Sequence, residues 1–317
     1  MDYRTLGRSS LKVSPICLGG NVFGWTADEA TSFSILDAWL DAGFNFIDTA
    51  DAYSRWAPDH TGGESETVIG KWLKASGKRD RVILATKCGL NNAEGKPDLK
   101  PATIRQAVED SLRRLQTDRI DLYQAHRDDE TTPLEETLEA FATLVKAGKV
   151  RVLGASNYSA PRLRQALEAS RKLGLPRYES LQPLYNLYDR AVFESELEPL
   201  CREQGIGVVS FYALAAGFLT GKYREPADAG KSPRGRNSVD KYLNDRGLRI
   251  LAALDTVAAR TRSKPGQVAV AWLLARPGVT SPIASVSSLA QLAELEATLR
   301  IKVSADDIRL LDQASAQ

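Results

Sequence analysis

The chain has 317 residues, a formal net charge of +2 and 43% hydrophobic residues. This length exceeds that of many single domains, but α/β barrels run to about 250 residues or more as one unit. We therefore expect one domain over residues 1–317. The two signs of charge nearly balance, which argues against a basic surface for nucleic acid or for an anionic membrane.

The cysteines and the N-terminal segment indicate the compartment. The three cysteines are widely spaced and form no CxxC pair, which indicates reduced thiols. Residues 1–20 lack the basic and apolar runs of a signal peptide, and no run of about 18 apolar residues occurs. We expect a cytoplasmic protein without a membrane span. Because the chain has only two histidines, we also expect no metal site.

Short apolar runs alternate with longer amphipathic stretches along the chain. The short runs are mostly β-branched or apolar throughout, as in strands that are buried on both faces. The predicted strands are Pro15–Gly19, Phe44–Asp48, Val82–Lys87, Ile120–His126, Val150–Ala155, Glu179–Gln182, Gly207–Ser210 and Thr280–Ala284.

Capping residues, prolines and glycines mark the helices between these strands. The longest irregular stretch, Glu225–Tyr242, is rich in Pro, Gly, Lys and Arg and is predicted to be a functional or mobile loop. The predicted helices are Asp28–Ala42 after a capping Thr26, Glu64–Ala75, Pro101–Leu115, Pro133–Ala147 and one that opens at Ser159–Pro161.

Eight strands that alternate with helices form either an open doubly wound sheet or a closed barrel. A dinucleotide-binding sheet would place GxGxxG directly after the first strand, and the segment Gly19–Gly24 departs from that spacing. We therefore predict an α/β fold, a (β/α)8 TIM barrel. Two short runs, Tyr3–Leu6 and Leu11–Val13, predict an N-terminal β-hairpin that caps the bottom of the barrel.

Polar residues follow most of the predicted strands, at the end where a TIM barrel carries its active site. Tyr53 lies in the loop that follows the second strand. The polar or aromatic residues at successive strand ends are Asp48, Lys87, His126, Ser156 with Asn157, Gln182 and Phe211.

This set of residues is suited to carbonyl reduction, which needs a hydride donor and a proton donor. No side chain donates hydride, so a nicotinamide would have to be bound. A tyrosine ordinarily titrates near ~10, and we expect the ammonium of Lys87 to lower the pKa of Tyr53. Asp48 could keep Lys87 charged, and His126 could donate a hydrogen bond to the substrate carbonyl. Tyr53 is the predicted general acid.

Several sequence blocks resemble the aldo-keto reductase superfamily, in particular its branch similar to potassium-channel β subunits. They run in the family's order from about Arg4 to Leu299. The matching blocks are Leu40–Tyr53, Gly63–Glu66 with Ile69-Gly70, Thr86-Lys87, Asp121–His126, Gly154–Tyr158, Gln182–Asn186 and Leu219–Tyr223.

The resemblance implies a catalytic tetrad and a set of cofactor contacts. Phe211 stands where the family usually has a tyrosine, so it keeps the stacking face for the nicotinamide and loses the hydroxyl. Lys222 falls where the family contacts the pyrophosphate. The implied tetrad is Asp48, Tyr53, Lys87 and His126, and the implied carboxamide contacts are Ser156, Asn157 and Gln182.

The adenosine end departs further from the family pattern. Ser287 and Gln291 match the version found in reductases similar to the potassium-channel β subunits, whereas Leu295 replaces the usual Asn. Many relatives have an Arg at the position of Ser287 to bind the 2′-phosphate of the cofactor. Here Arg234 or Arg236 could supply that positive charge. NADPH is therefore expected as cofactor in preference to NADH.

Simpler interpretations remain open for several of these residues. His126 could be a buried histidine with a satisfied partner, and Asp48 could have a purely structural role. Ser287 and Gln291 could mark an ordinary helix start. The basic segment Lys231–Arg236 could be solvated surface.

The predicted partner is a small-molecule carbonyl substrate. Three residues near the predicted mouth, Trp25, Trp56 and Arg127, line the substrate pocket in this interpretation, and in the alternative they only pack. Two other functions stay open. One is a regulatory or redox-sensing subunit that binds nucleotide and turns over slowly; the other is a barrel isomerase or lyase that needs no nicotinamide.

Overall fold

The computed structural model describes residues 1–92 and 94–316. Its first two strands, β1 (Arg4–Thr5) and β2 (Lys12–Val13), pair antiparallel. The buried Leu6, Leu11 and Val13 of this hairpin pack against barrel-interior residues such as Phe46 and Leu122. The hairpin therefore seals the bottom of the barrel, as the sequence predicted.

Eight parallel strands form the barrel in chain order, with each strand beside the next. The ring closes because Thr280 and Ile283 donate backbone N–H groups to Val208 and Ser210, both at 2.8 Å. The predicted TIM barrel is thus confirmed. Its strands are β3 (Cys17–Gly19), β4 (Phe46–Asp48), β5 (Ile83–Cys88), β6 (Ile120–Ala125), β7 (Val150–Ser156), β8 (Tyr178–Gln182), β9 (Gly207–Val208) and β10 (Ile283–Ala284).

Helices surround the barrel and bury one face each against it. Apolar side chains fill the layer between strands and helices, and a second apolar cluster fills the barrel interior above the hairpin. None of the helices in the described residues is long and apolar enough to cross a bilayer. The α-helices are α1 (Glu29–Asp41), α2 (Glu64–Ser76), α3 (Pro101–Leu115), α4 (Leu134–Lys146), α5 (Ala160–Leu173), α6 (Glu198–Gln204), α7 (Gly235–Tyr242), α8 (Asp245–Thr261), α9 (Pro265–Leu274), α10 (Leu289–Ala297) and α11 (Ala305–Ala314).

Two local predictions were wrong. Helix α1 is capped by Asp28 and not by Thr26, because the Asp28 carboxylate accepts a hydrogen bond from the Thr31 N–H at 2.8 Å. The stretch 225–242 is also not irregular, since it contains a 3₁₀ helix (Pro226–Lys231) and α7. The Asp228 carboxylate stabilises this turn by accepting from the N–H groups of Arg224 and Glu225 at 2.6 and 3.1 Å.

All three cysteines, at positions 17, 88 and 201, are buried and unpaired. Burial raises the pKa of Cys17 well above its ordinary value and raises the pKa of Cys201 to about 12. The thiols therefore stay protonated at neutral pH.

Helix α2, which follows the loop that carries Tyr53, packs closely on α3 through a glycine. A Cβ at Gly70 would lie 2.0 Å from the Arg114 carbonyl oxygen and 2.7 Å from the Leu115 carbonyl carbon. Real side chains do not tolerate such distances to backbone atoms, so any larger residue would push the two helices apart.

We expect Gly70→Ala to lower the free energy of unfolding by about 1–3 kcal/mol, because backbone atoms cannot move aside as a flexible side chain would. Chemical denaturation measures this change. Gly230→Ala is the matched control, since a Cβ there would meet open space. Equal stability of the two variants would contradict this account of the helix contact.

Candidate active site

Asp48, Tyr53 and Lys87 meet at the top of two neighbouring strands. Asp48 ends β4 and Lys87 lies near the end of β5, so the parallel pairing brings their side chains together. Lys87 Nζ donates to Asp48 Oδ2 at 2.7 Å and to the Tyr53 hydroxyl at 2.8 Å. The Tyr53 hydroxyl in turn donates to Asp48 Oδ2 at 2.9 Å. The phenol therefore lies between an ammonium and a carboxylate.

Hydrogen bonds of the loop after β4 hold Tyr53 in this position. The Asp51 N–H donates to the Lys87 carbonyl at 3.1 Å, and the Ser54 hydroxyl donates to the Phe23 carbonyl at 3.1 Å. Ser54 has a left-handed backbone (φ 71°), an unfavourable conformation that is often found at functional sites. The Glu64 carboxylate accepts from the N–H groups of Thr61 and Gly62, so it supports the loop geometry.

Asp48 is fully buried and its second oxygen is also hydrogen-bonded. Asp48 Oδ1 accepts from Gln182 Nε2 at 2.8 Å and from Gln124 Nε2 at 3.4 Å. Sequence reasoning gave Gln124 no role, although it lies on β6 two residues before His126, which directly follows that strand, and so points to the same side. The carboxylate is thus fixed by four side-chain donors, as a buried charge requires.

The His126 ring lies beside the Tyr53 ring. The ring centroids are 6.1 Å apart and the ring planes are nearly perpendicular. The His126 backbone N–H donates to the Cys88 carbonyl at 2.9 Å, and the Asn157 amide donates to its carbonyl at 3.0 Å. Its Nδ1 is buried and has no hydrogen-bond partner among the described residues. This arrangement does not support the alternative of a core histidine with a satisfied partner.

One cavity of about 1120 Å³ opens above these residues and runs along the top of the barrel. Asp48 and Lys87 lie beneath it, and the Tyr53 hydroxyl reaches them from its floor. Arg236, the alternative to Arg234, is exposed and does not line it. The other predicted site residues do line it: Trp25, Tyr53, Trp56, His126, Arg127, Ser156, Asn157, Gln182, Phe211, Lys222, Arg234, Ser287 and Gln291.

An unusual backbone segment also borders the cavity. Tyr212, Ala215 and Ala216 have positive φ angles of 57°, 47° and 54°, and Gly217 follows with 92°. Lys222 approaches this turn, since its Nζ would lie 3.3 Å from a Cβ at Gly217. Within residues 1–92 and 94–316 this ammonium forms no ion pair and lies over the Tyr223 ring, 5.0 Å from its centroid. A strained backbone segment beside such an ammonium is typical of a ligand-binding loop.

The two predicted adenosine-end residues are hydrogen-bonded to each other. Gln291 Oε1 accepts from the Ser287 N–H at 2.9 Å, while Ser288 caps α10. The simpler interpretation of a helix start therefore describes their arrangement, and they still face the cavity. Arg234 lies elsewhere, with its guanidinium 5.1 Å from the Trp25 ring centroid.

A family model described as the aldo/keto reductase family matches residues 15–316. The chain belongs to the aldo/keto reductase family. It is 35% identical, over 98% of its length, to the uncharacterized oxidoreductase YrpG of Bacillus subtilis, 95% of which is covered. It is 36% identical to the aldo-keto reductase YhdN of the same organism, over 88% of this chain and 82% of that protein.

A third relative is a probable voltage-gated potassium channel subunit beta of Oryza sativa subsp. japonica. The identity is 33% over 93% of this chain and 90% of that protein. The resemblance seen in the sequence is thus confirmed, and the chain is an oxidoreductase. Aldo/keto reductases generally use NAD(P)H and act on small-molecule carbonyl compounds.

The electrostatics of this aldo/keto reductase differ from expectation at Tyr53. Burial and the Asp48 carboxylate raise the pKa of Tyr53 well above its ordinary value, although Lys87 is hydrogen-bonded to it. The predicted lowering of this pKa was therefore wrong, because the carboxylate lies as near to the phenol as the ammonium does. The phenol keeps its proton at neutral pH.

The pKa values of His126 and Lys87 are also lowered. Burial, with the nearby charges of Lys87 and Arg127, lowers the pKa of His126 well below its ordinary value. The imidazole is therefore neutral near pH 7 and carries one N–H that can donate. Burial lowers the pKa of Lys87, and the Asp48 carboxylate opposes this effect.

A second buried carboxylate, Asp51, lies in the loop that carries Tyr53, and sequence reasoning gave it no role. Burial and Glu66 raise the pKa of Asp51 to about 8, against the lowering effect of Arg114 and Lys87. Its place in the block Leu40–Tyr53 was the only signal for it. Among the described residues, no cluster of three His, Cys, Asp or Glu side chains could hold a metal ion.

We expect Asp48→Asn to shift the pH dependence of the reductase. Without the carboxylate the pKa of Lys87 falls further below its ordinary value, so the ammonium is lost at lower pH than in the wild type. The alkaline limb of kcat/KM for carbonyl reduction should therefore move to lower pH. Steady-state rates across a pH series measure this shift.

Asp121→Asn is the matched control for Asp48→Asn. Asp121 is another buried carboxylate, paired with Arg79 and Arg151 at the bottom end of β6. The Asp121→Asn variant should lose stability as Asp48→Asn does. The alkaline limb of its kcat/KM should stay at the wild-type pH. A limb that stays in place or moves to higher pH in Asp48→Asn would refute the role given to this carboxylate.

Proposed function

We propose that this chain reduces aldehydes or ketones to alcohols with NADPH, with Tyr53 as the general acid. One observation carries the proposal: the Tyr53 hydroxyl lies 2.8 Å from Lys87 Nζ on the floor of a large cavity, beside the neutral His126. A protonated phenol that faces a cavity can donate a proton to a bound oxygen.

The cavity residues fit a dinucleotide. A volume of about 1120 Å³ exceeds that of pockets for a single small ligand, which are typically about 300–1,000 Å³. Phe211 would hold the nicotinamide ring and Ser156, Asn157 and Gln182 its carboxamide. Lys222 would hold the pyrophosphate and Ser287 with Gln291 the adenosine. When bound, the reduced nicotinamide supplies the hydride.

The residues of the chain then handle the proton. Tyr53 donates its hydroxyl proton to the carbonyl oxygen as that oxygen becomes an alkoxide. Negative charge develops at the phenol oxygen, and Lys87 Nζ, at 2.8 Å, stabilises it. The neutral His126 orients the substrate by donating its N–H to the carbonyl oxygen. Asp48 keeps Lys87 charged through the 2.7 Å ion pair.

We expect Tyr53→Phe to reduce kcat by roughly 10²–10⁴-fold, because the variant lacks the acidic proton but keeps the ring. Following NADPH absorbance with a panel of aldehydes measures the loss. Quenching of tryptophan fluorescence by NADPH should remain close to wild type, which separates lost chemistry from lost binding. Near-normal turnover in this variant would refute the assignment.

If Lys222 contacts the pyrophosphate that both cofactors share, Lys222→Met should weaken the binding of NADPH and of NADH by the same factor, roughly 10–100-fold. Fluorescence titration with each cofactor measures the two Kd values. Lys74→Met, at an exposed position on α2, is the control. Weakening of NADPH alone would instead indicate a contact with the 2′-phosphate. The wild type should bind NADPH more tightly than NADH.

A second candidate function is suggested by the relative named as a potassium channel subunit beta. In this alternative the chain binds NADPH, turns over slowly and serves as a regulatory or redox-sensing subunit. Tight NADPH binding together with negligible rates for every carbonyl in the panel would favour this alternative over the reductase.

A further inference from the structure

The backbone segment 212–217 borders the cavity in a conformation that its own residues do not favour. Tyr212, Ala215 and Ala216 are not glycines, yet all three have a left-handed backbone. Most of the segment lines the cavity, and it directly follows Phe211, the residue that would hold the nicotinamide ring. Such a conformation persists only where neighbouring groups fix it. The groups that fix this segment therefore determine the shape of the cavity wall.

Asn186, in the loop after β8, holds the first carbonyl of the segment. Asn186 Nδ2 donates to the Tyr212 carbonyl and to Asp189 Oδ2, both at 3.1 Å. Asn186 Oδ1 accepts from the N–H groups of Tyr188 and Asp189 at 2.8 and 2.9 Å. The side chain is completely buried, and both of its polar atoms are used twice. Because a reversed amide would set its N–H groups against two backbone N–H groups, the orientation of this side chain is fixed.

Ser238, on α7, holds a second carbonyl of the same segment. Its hydroxyl donates to the Ala216 carbonyl at 2.9 Å, and the side chain is completely excluded from solvent. Asp189 joins α7 to the loop that carries Asn186, because Asp189 Oδ2 also accepts from the Tyr242 hydroxyl at 2.8 Å. The two donors thus belong to one connected network of hydrogen bonds, which binds the segment near both of its ends.

Neither donor belongs to the cavity itself. The wall that the described residues form includes Tyr212 and Ala216, and it includes neither Asn186 nor Ser238. The two side chains therefore act on a bound molecule only through the backbone that they hold. The segment also reaches Lys222, whose Nζ would lie 3.3 Å from a Cβ at position 217. It thus connects the proposed nicotinamide contact with the proposed pyrophosphate contact.

We propose that Asn186 and Ser238 are positioning residues for the dinucleotide: they hold the segment 212–217 in the shape that the bound cofactor requires. This inference rests on the proposed function. Without either donor a carbonyl of the segment loses a hydrogen bond, and the strained backbone can relax in the free protein. Cofactor binding must then restore the required shape, so the fraction of the protein that is ready to bind decreases.

The test removes each donor and measures cofactor binding directly. Ser238→Ala deletes a single hydroxyl, and Asn186→Ala deletes the amide. In both variants we expect the Kd values of NADPH and of NADH, from fluorescence titration, to rise by the same factor of roughly tenfold. The factor is the same because the segment adjoins parts that both cofactors share. At saturating NADPH kcat should stay close to wild type, while KM for NADPH rises.

Two matched controls lie at the end of the barrel that the hairpin seals. Ser281 is equally buried, and its hydroxyl donates to the Ser14 carbonyl at 3.0 Å, so Ser281→Ala matches Ser238→Ala. Asn45 also joins two backbone segments: its Nδ2 donates to a carbonyl of β2 and its Oδ1 accepts from the Ser14 N–H, both at 2.8 Å. Asn45→Ala therefore matches Asn186→Ala. Both controls should lower the free energy of unfolding in chemical denaturation and keep the wild-type Kd of each cofactor.

The outcomes separate this inference from the proposed function. Wild-type Kd values in Ser238→Ala and Asn186→Ala, with a loss of stability like that of the controls, would show a merely structural role and overturn the inference. Equal weakening of NADPH in the controls would overturn it as well. If Asn186→Ala does not fold, Ser238→Ala decides alone. A wild-type protein that binds neither NADPH nor NADH would instead overturn the proposed function itself.

Discussion

The ion pair between Lys87 and Asp48 is the interaction on which the site depends. Both side chains are almost completely excluded from solvent, and removing either partner from such a pair costs about 3–5 kcal/mol. The barrel makes the pair possible because adjacent parallel strands end at the same level. Lys87 Nζ donates one proton to the Asp48 carboxylate and one to the Thr49 carbonyl at 2.8 Å, so its third proton is directed toward the Tyr53 hydroxyl.

The remaining parts of the site follow from this fixed centre. The loop that carries Tyr53 is tied to β5 through the Asp51 N–H, so the strand that supplies the ammonium also positions the phenol. The neutral His126 faces the phenol from the position directly after β6, where it adds a hydrogen-bond donor and no second positive charge. Near pH 7 a protonated phenol can donate a proton and a neutral imidazole can donate a hydrogen bond, which suits protonation of a carbonyl oxygen.

Much of this arrangement could be predicted from the sequence, for reasons that are local. The period of apolar residues predicted the strands, and strand ends in a barrel converge, so Asp48, Lys87 and His126 had to face one mouth. Side-chain contacts across strands could not be predicted in the same way. The amide of Gln124 contacts Asp48, 76 residues away in the chain, and the Arg234 guanidinium lies over the Trp25 ring. The pKa of Tyr53 was predicted in the wrong direction because sequence spacing does not reveal how close the carboxylate lies.

The burial of the thiols has a consequence for an enzyme of this family. α,β-Unsaturated aldehydes and ketones are electrophiles that alkylate accessible thiolates, and such damage accumulates with each encounter. Here Cys17 and Cys88 lie in the barrel wall close to the reacting groups, yet both are sealed from solvent and held as thiols. The protein can therefore present its active centre to reactive carbonyl compounds without exposing a nucleophile that they would consume.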